Sequence, residues 1–366
     1  MTRFLLVGGG TAGHVNPLLA TADCLMARDS NEVIRVLGTA EGLEARLVPE
    51  RGYELIVVAK LPFPRRLGRA AWNFRRNFFA LVATIAEIIR SEKIDVVVGF
   101  GGYVSAPAYL AARRVGVPIV VHEANAKPGM ANWLGAQLTK KVGVTFAAAR
   151  LPHARVVGMP LRREIETLNR AEGRSVALQF FGLDPSKPTL LVTGGSQGAR
   201  HINEVIYSAA TLILGAGWQI LHLTGERSPL PATELFGYQI VPYSDRMDLA
   251  LAACDLALAR AGSATVSEFS ALGVPAVYVP LSIGNGEQSR NAREAVNVGG
   301  ALMVANSEFT YDWVLSMLIP LLQDRARVAE MSARALSVGI RDGAHRLVAL
   351  IDEALTSRAP DAPPAK

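Results

Sequence analysis

The stretch Leu5–Pro17, LLVGGGTAGHVNP, joins a glycine-rich turn to a histidine. Gly8, Gly10 and Gly13 fit the spacing G-x-G-x-x-G. In that turn backbone N–H groups approach a phosphate at the positive end of a helix. His14 follows, where a helix should begin. An imidazole there is disfavoured as a cation and stays neutral, which suits a general base. The same residue could instead cap the turn or pack. A nicotinamide or flavin site would also need an acidic residue at the end of the second strand, to hold a ribose. Gly38 and Thr39 occupy that position and Glu41 comes too late, which weakens the dinucleotide reading.

The pattern recurs. TLLVTGGSQGARH (189–201) aligns with FLLVGGGTAGHVN (4–16), so that Leu190 meets Leu5, Gly194 meets Gly9 and Gly198 meets Gly13. The partner of His14 is then Ala199, so the turn itself has no need of an imidazole. GFGGYVS (99–105), with Gly101, Gly102 and Tyr103, adds a third glycine turn after a strand. Further on, AGSATVSE (261–268) reads as a Gly262 turn opening a helix. Thr265 and Glu268 match a capping box. Alternatively, Glu268 accepts both hydroxyls of a ribose while Ser263, Thr265 and nearby N–H groups meet a diphosphate. Gln288 and Asn291 could reach sugar hydroxyls. No D-x-D motif and no metal-ligand spacing occurs, so no metal or other cofactor is expected. The charge of a departing diphosphate would fall to helix N-termini and to cations such as Arg162. Serine-hydrolase and P-loop signatures are absent as well.

Short apolar runs must position these loops: RFLLVG, EVIRVLG, YELIVVA, DVVVGF and PIVVHE, then TLLVTG, QILHLTG, YQIVPY, LALAR and PAVYVP. Helical patterns such as 16–28 and 202–213 alternate with them, which predicts parallel sheets covered on both faces. The expectation is two doubly wound α/β domains with a cleft between them, joined near VVGMPLRRE. Residues 1–157 form the first and 158–340 the second, a helix near 341–358 packs back on the first, and the tail 359–366 is disordered.

At 366 residues the chain has the length of about two domains. Half its residues are apolar and 19% are charged, enough for large cores. Cys24 and Cys254 stand far apart, in no metal or redox spacing. FLLV is too short for a signal-peptide core, and FFALVATIA breaks at Glu87 before it could span a bilayer. The net charge of +6 favours anionic partners. Nucleic acid is disfavoured, because the basic residues do not interleave with aromatics as in a known module. The densest positive charge is Arg65, Arg66, Arg69, Arg75 and Arg76, set among Phe63, Trp72, Phe74, Phe78 and Phe79. Phe74, Phe78, Val82, Ile85 and Ile89 make one apolar helical face. The front of this segment, 60–76, could touch an anionic membrane surface or be a solvated basic face.

Taken together, GGGTAGH, GFGGYVS, HEAN, GMPLR, GGSQGAR, AGSATVSE and GEQSRNA occur in the order found in the MurG-type enzymes, which the chain resembles over nearly its whole length. These are bacterial UDP-N-acetylglucosamine:lipid-linked muramoyl-pentapeptide N-acetylglucosaminyltransferases. The resemblance implies a GT-B fold of two Rossmann-like domains with an interdomain cleft. It also implies inverting transfer in peptidoglycan synthesis and a peripheral place on the cytoplasmic face of the membrane. Its partners would be UDP-N-acetylglucosamine and an undecaprenyl-diphosphate-linked muramoyl-pentapeptide. Thr11, Ala12, Gly13 and Asn125 would then line the donor site, with Arg162 and Ser196 facing the diphosphate. Ser263, Ala264, Thr265, Val266, Ser267 and Glu268 would grip phosphate and ribose, Gln288 would read the sugar and Ser244 would hold the uracil edge through its backbone. Gly101, Gly102 and Tyr103 fall on the acceptor side. His14 is the implied base, and Glu123 is either a second candidate or the group that orients His14. Ala12, Ala124 and Glu287 depart from the usual T-G-G-H, H-E-Q-N and glutamine of the family. Other GT-B enzymes, a UDP-sugar epimerase among them, and an oxidoreductase are the rival readings.

Overall fold

The run from Phe4 to Val7 is completely buried and lies inside a parallel sheet covered on both faces, the setting such runs require. The structure is a computed structural model that describes residues 1–61, 69–281 and 286–357, with backbone alone for 69–72. It divides into two units, Met1–Arg163 with Asp342–Lys366, and Glu164–Arg341.

In the first unit β1 (Arg3–Gly8), α1 (Ala12–Arg28), β2 (Val33–Gly38), α2 (Glu44–Glu50), β3 (Glu54–Val57) and α3 (Arg69–Ser91) come first. They are followed by β4 (Val96–Gly101), α4 (Ser105–Val115), β5 (Ile119–Glu123), α5 (Met130–Ala136), β6 (Val142–Val144) and β7 (Ala154–Val156). The seven strands run β3-β2-β1-β4-β5-β6-β7, every neighbouring pair parallel. Strand order reverses between β1 and β4, so the loops after those strands diverge and open a crevice at their carboxyl ends. Ligands of doubly wound sheets bind at such a switch point. Leu5 and Val7 face one core with Val82, Ile85, Ile89 and Tyr109. Phe4 and Leu6 face the other, with Leu18 and Leu25.

The second unit follows the short α6 (Arg163–Glu166). Its elements are α7 (Arg170–Phe181), β8 (Thr189–Thr193), α8 (Arg200–Ser208), α9 (Ala210–Gly215), β9 (Gln219–Leu223), β10 (Tyr238–Val241), α10 (Met247–Ala253) and β11 (Leu256–Ala259). Then come α11 (Ser263–Leu272), β12 (Ala276–Tyr278), α12 (Glu287–Asn291), α13 (Arg293–Asn297), β13 (Ala301–Met303), α14 (Tyr311–Trp313), α15 (Ile319–Gln323) and α16 (Arg325–Ser337). Six strands run β10-β9-β8-β11-β12-β13, again parallel. The switch point lies between β8 and β11, and the Gly194–Gly198 loop and the start of α11 emerge there.

The last helix, α17 (Gly343–Thr356), belongs to the first unit. Leu347, Val348, Leu350 and Ile351 complete the core on the α1 face, and Gly343 lies so close to the chain that a methyl there would stand 2.2 Å from the Met159 carbonyl oxygen. Arg28 pairs with Asp352 at 2.8 Å, and Lys141 and Arg155 both reach Glu353, at 3.0 and 2.6 Å. These two cations hold the exposed Glu353 carboxyl well below its ordinary value, at about 2.

Three departures from the sequence pattern stand out. The 202–213 pattern is two helices broken at Ala209. α1 begins at Ala12, because the Thr11 carbonyl already accepts from His14 and Val15 N–H at 3.1 Å each; Pro17 thus lies inside the helix. The strands β6, β7 and β13 carry no apolar run long enough to announce them. The tail 359–366 and the arginines at 65 and 66 lie outside the described residues.

Candidate active site

The β1 loop holds His14 in a defined orientation. Its Nδ1 lies 3.1 Å from the Gly9 carbonyl oxygen and 3.3 Å from Thr11 Oγ1. A carbonyl only accepts, so Nδ1 carries the proton and the Nε2 lone pair is left open. The loop after β4 makes room for this ring: a methyl on Gly101 would meet Nε2 at 3.1 Å. Ser105 Oγ fixes that loop by donating to the Gly101 carbonyl at 2.8 Å, and Tyr103 projects into solvent, 60% exposed. Ala12 opens α1 without a left-handed backbone, since it is not among the non-glycine residues of positive φ. The extra methyl relative to the family pattern is therefore unstrained.

Glu123 is buried at the end of β5. Its Oε1 accepts the Asn125 N–H at 2.8 Å, and its Oε2 accepts Gly129 N–H at 3.0 Å and Asn132 Nδ2 at 2.9 Å. Asn132 in turn accepts from the Tyr109 hydroxyl at 2.8 Å. Glu123 thus ties down the loop that carries Asn125, while the His14 Nδ1 proton goes to a backbone carbonyl. Neighbouring His122 is fully buried, bonds the Gly158 carbonyl through Nε2 at 3.0 Å, and is pushed down to about 4 by burial. It is a neutral strut between β5 and the chain after β7. Arg162 lies just beyond, partly buried. Sequence reading missed Asn132, Tyr109 and a further buried carboxylate, Glu44.

In the second unit Gly262 caps α11 and Ser263 is its first residue. Thr265 and Glu268 therefore sit inside the helix, and the capping-box reading fails. The N–H groups of Ser263, Ala264 and Thr265 lack partners within the helix, as in any first turn, whereas Val266 N–H already donates to Gly262 at 2.9 Å. Ser263, Val266 and Ser267 side chains are buried and Glu268 is half-buried. Ser196 is exposed on the β8 loop, where its carbonyl accepts the Glu226 N–H at 3.2 Å. Ser244 follows β10 and accepts the Arg246 N–H at 3.2 Å. Gln288 is more tightly built in than an amide in a glycine-containing loop suggests: its Oε1 accepts N–H groups of Ala261 and Leu281 at 3.2 and 2.9 Å. Arg260, which sequence reading also passed over, buries its guanidinium against the Val279 carbonyl at 2.9 Å and Asn306 Oδ1 at 2.7 Å.

Two doubly wound units, each with a glycine loop and a helix start at its switch point, are the architecture of GT-B glycosyltransferases. Residues 4–144 match the glycosyltransferase family 28 N-terminal domain and 189–347 match the glycosyltransferase family 28 C-terminal domain. A UDP-N-acetylglucosamine–N-acetylmuramyl-(pentapeptide) pyrophosphoryl-undecaprenol N-acetylglucosamine transferase of Leifsonia xyli is 58% identical over 98% of this chain and 100% of its own. The crystal structure of MurG from Acinetobacter baumannii superposes with a TM-score of 0.78 at 28% identity, covering 96% of this chain and 100% of that one. A UDP-N-acetylglucosamine 2-epimerase structure from Listeria monocytogenes shares the fold alone, with a TM-score of 0.69 at 12% identity over 98% of this chain and 99% of that one. The chain belongs to the MurG-type family of glycosyltransferases.

Proposed function

We propose that the protein transfers N-acetylglucosamine from UDP-N-acetylglucosamine to the 4-hydroxyl of a muramoyl-pentapeptide carried on undecaprenyl diphosphate, the step that forms the lipid-linked disaccharide of peptidoglycan. The observation that carries the chemistry is the open Nε2 of His14, fixed by the Nδ1 bond to Gly9. The acceptor oxygen attacks C1 from the side opposite UDP, and its proton passes to Nε2. The bond from C1 to the diphosphate oxygen breaks with its electron pair, so an α-linked donor gives a β-linked product. The first-turn N–H groups of Ser263, Ala264 and Thr265, with Arg162 and Ser196, meet the charge that develops on the leaving diphosphate. Glu268 takes the ribose hydroxyls, the Ser244 segment the uracil, and the Nε2 amide of Gln288 the sugar. Thr11, Ala12, Gly13 and Asn125 complete the donor side, and Gly101, Gly102 and Tyr103 the acceptor side. Val266 serves by packing, since its N–H is engaged and its side chain is buried, while Ser267, whose buried Oγ has no hydrogen-bond partner, stays with the donor grip. Glu123 shapes the Asn125 loop.

The test is UDP release from UDP-N-acetylglucosamine with and without a soluble lipid-linked muramoyl acceptor, repeated with UDP-glucose and UDP-galactose. Acceptor-dependent release confined to the N-acetylglucosamine donor supports the assignment. Conversion of the donor into an epimeric UDP-sugar, without acceptor and without net UDP release, points to an epimerase and overturns it.

The acceptor is a lipid, and no helix among the described residues is long and apolar enough to cross a membrane. We place the protein peripherally, on the cytoplasmic face. On α3, Arg75 and Arg76 are exposed beside Phe79, itself 54% exposed. On α5, Met130 and Trp133 are 75% and 55% exposed, and α4 packs against both helices. Basic residues near an anionic leaflet contribute ~1 kcal/mol each. The variant Arg75→Ser/Arg76→Ser/Phe79→Ser is therefore expected to bind phosphatidylglycerol vesicles at least ~10-fold more weakly in flotation assays while binding UDP as before. Undiminished vesicle binding would remove α3 from the membrane surface.

A further inference from the structure

Glu44, at the start of α2, is a fully buried carboxylate to which the reaction as written gives no part. Oε2 accepts the Gly10 N–H at 2.8 Å. Oε1 accepts the N–H and hydroxyl of Thr39 at 3.0 and 2.9 Å. Burial alone would raise its pKa, but the bonds from Gly10 and Thr39 prevail and hold it below the ordinary carboxylate value. The space it fills is cut from glycine: methyls on Gly9, Gly38 and Gly42 would lie 2.3, 2.5 and 2.0 Å from its atoms. A buried charge surrounded in this way is retained only where its bonds satisfy it.

The Gly10 N–H belongs to the same peptide group as the Gly9 carbonyl, and that carbonyl accepts from His14 Nδ1 at 3.1 Å. In a trans peptide the N–H and C=O point in opposite directions. One peptide dipole therefore has a carboxylate at its positive end and an imidazole N–H at its negative end. We propose that Glu44 is a positioning residue for His14, acting through the Gly9–Gly10 peptide. Its charge polarises that peptide, so the Gly9 oxygen becomes a stronger acceptor, the Nδ1–H tautomer is fixed, and the imidazolium formed when Nε2 takes the acceptor proton is stabilised. The carboxylate stays ionised throughout, and no proton crosses the peptide. The arrangement does for this histidine what a directly bonded carboxylate does in hydrolase triads, at one peptide's remove. The inference rests on the reading of His14 as the base. The other ionisable groups on or near α1 have their own partners. Glu123 holds the Asn125 loop. Asp23 pairs with Arg51 and Tyr53. Arg28 pairs with Glu32 and Asp352, and His345 lies against Cys24.

The experiment compares full-length wild type, Glu44→Gln and Glu44→Asp. In Glu44→Gln, kcat is expected to fall by roughly tenfold or more, part of the ~10²–10⁴-fold that a positioned base supplies. The KM for UDP-N-acetylglucosamine should stay within about twofold, and the acid limb of the kcat profile should move about one pH unit lower. Glu44→Asp keeps the charge and should recover the limb. Nitrogen NMR of the imidazoles, with His14→Ala to assign the signal, should show the Nδ1–H tautomer in wild type and a mixture in Glu44→Gln. A folded Glu44→Gln protein with an unmoved limb and an unmixed tautomer overturns the proposal. Should that variant fail to fold, the wild-type spectrum decides alone, since an Nε2–H tautomer at His14 is incompatible with the relay. A changed tautomer with unchanged kcat leaves the relay standing and removes His14 as the base.

Discussion

His14→Ala is expected to lower acceptor-dependent kcat by ~10²–10⁴-fold while UDP affinity stays within about twofold. The size follows from what is removed: an imidazole whose Nδ1 is fixed on the Gly9 carbonyl and whose Nε2 is the proposed proton acceptor. UDP binding is expected to survive because the groups proposed to hold the donor lie mostly in the second unit, around α11 and the β8 loop. The fold should survive as well, since His14 is only partly buried and α1 starts on the Thr11 carbonyl regardless. Single-turnover rates with a soluble acceptor, alongside calorimetric UDP titration, separate the two effects. A mutant that keeps most of its rate would move the proton elsewhere, and Glu123 would then have to give up some of its three hydrogen bonds to act.

The second large effect falls on the β8 loop, proposed above to meet the donor's diphosphate. Gly195 and Gly198 both have left-handed backbones, with φ of +84° and +80°, yet their surroundings differ. A methyl on Gly195 meets nothing within 4 Å, whereas one on Gly198 would lie 2.2 Å from the Thr224 carbonyl oxygen and 2.8 Å from Ser228 Cβ. Gly195→Ala should therefore cost only the left-handed penalty, about 1–2 kcal/mol. Gly198→Ala adds a collision with backbone that cannot rotate away, for a total of roughly 3–5 kcal/mol. Its UDP affinity should also fall at least ~10-fold, because the loop must move off the end of β8. Scanning calorimetry of both variants with and without UDP gives the comparison. Equal losses would mean that the contact with Thr224 does not constrain the loop.

How much of this was legible in the sequence depends on whether meaning is local. Strands such as RFLLVG and TLLVTG declared themselves, because a parallel strand buried on both faces must be apolar throughout. VGV at 142–144 and ALM at 301–303 did not, since so short a run becomes a strand only when a formed neighbour pairs with it. The glycine loops and His14 could be found from spacing alone. Glu44 could not. It lies 34 residues from the Gly10 N–H it binds, and nothing around it hints that α2 brings it beneath the β1 loop. Thr265 and Glu268 misled in the opposite direction. Their spacing fits a cap, but Gly262 had already started the helix, so both residues lie inside α11. Gln288 looked like a loop amide because its partners, the N–H groups of Ala261 and Leu281, carry no sequence signature.

The return of α17 to the first unit sets an order of events during synthesis. Residues 164–341 are contiguous and hold their own core, so the second unit can close as soon as they leave the ribosome. The first unit begins to emerge before it but lacks Leu347, Leu350 and Ile351, which cover the α1 face of its sheet. Until α17 is translated, Phe4, Leu6, Leu18 and Leu25 have an unfinished lid. The half of the molecule made first is thus the half finished last, and a nascent chain carries exposed apolar surface through most of its synthesis, the period in which chaperone capture matters most.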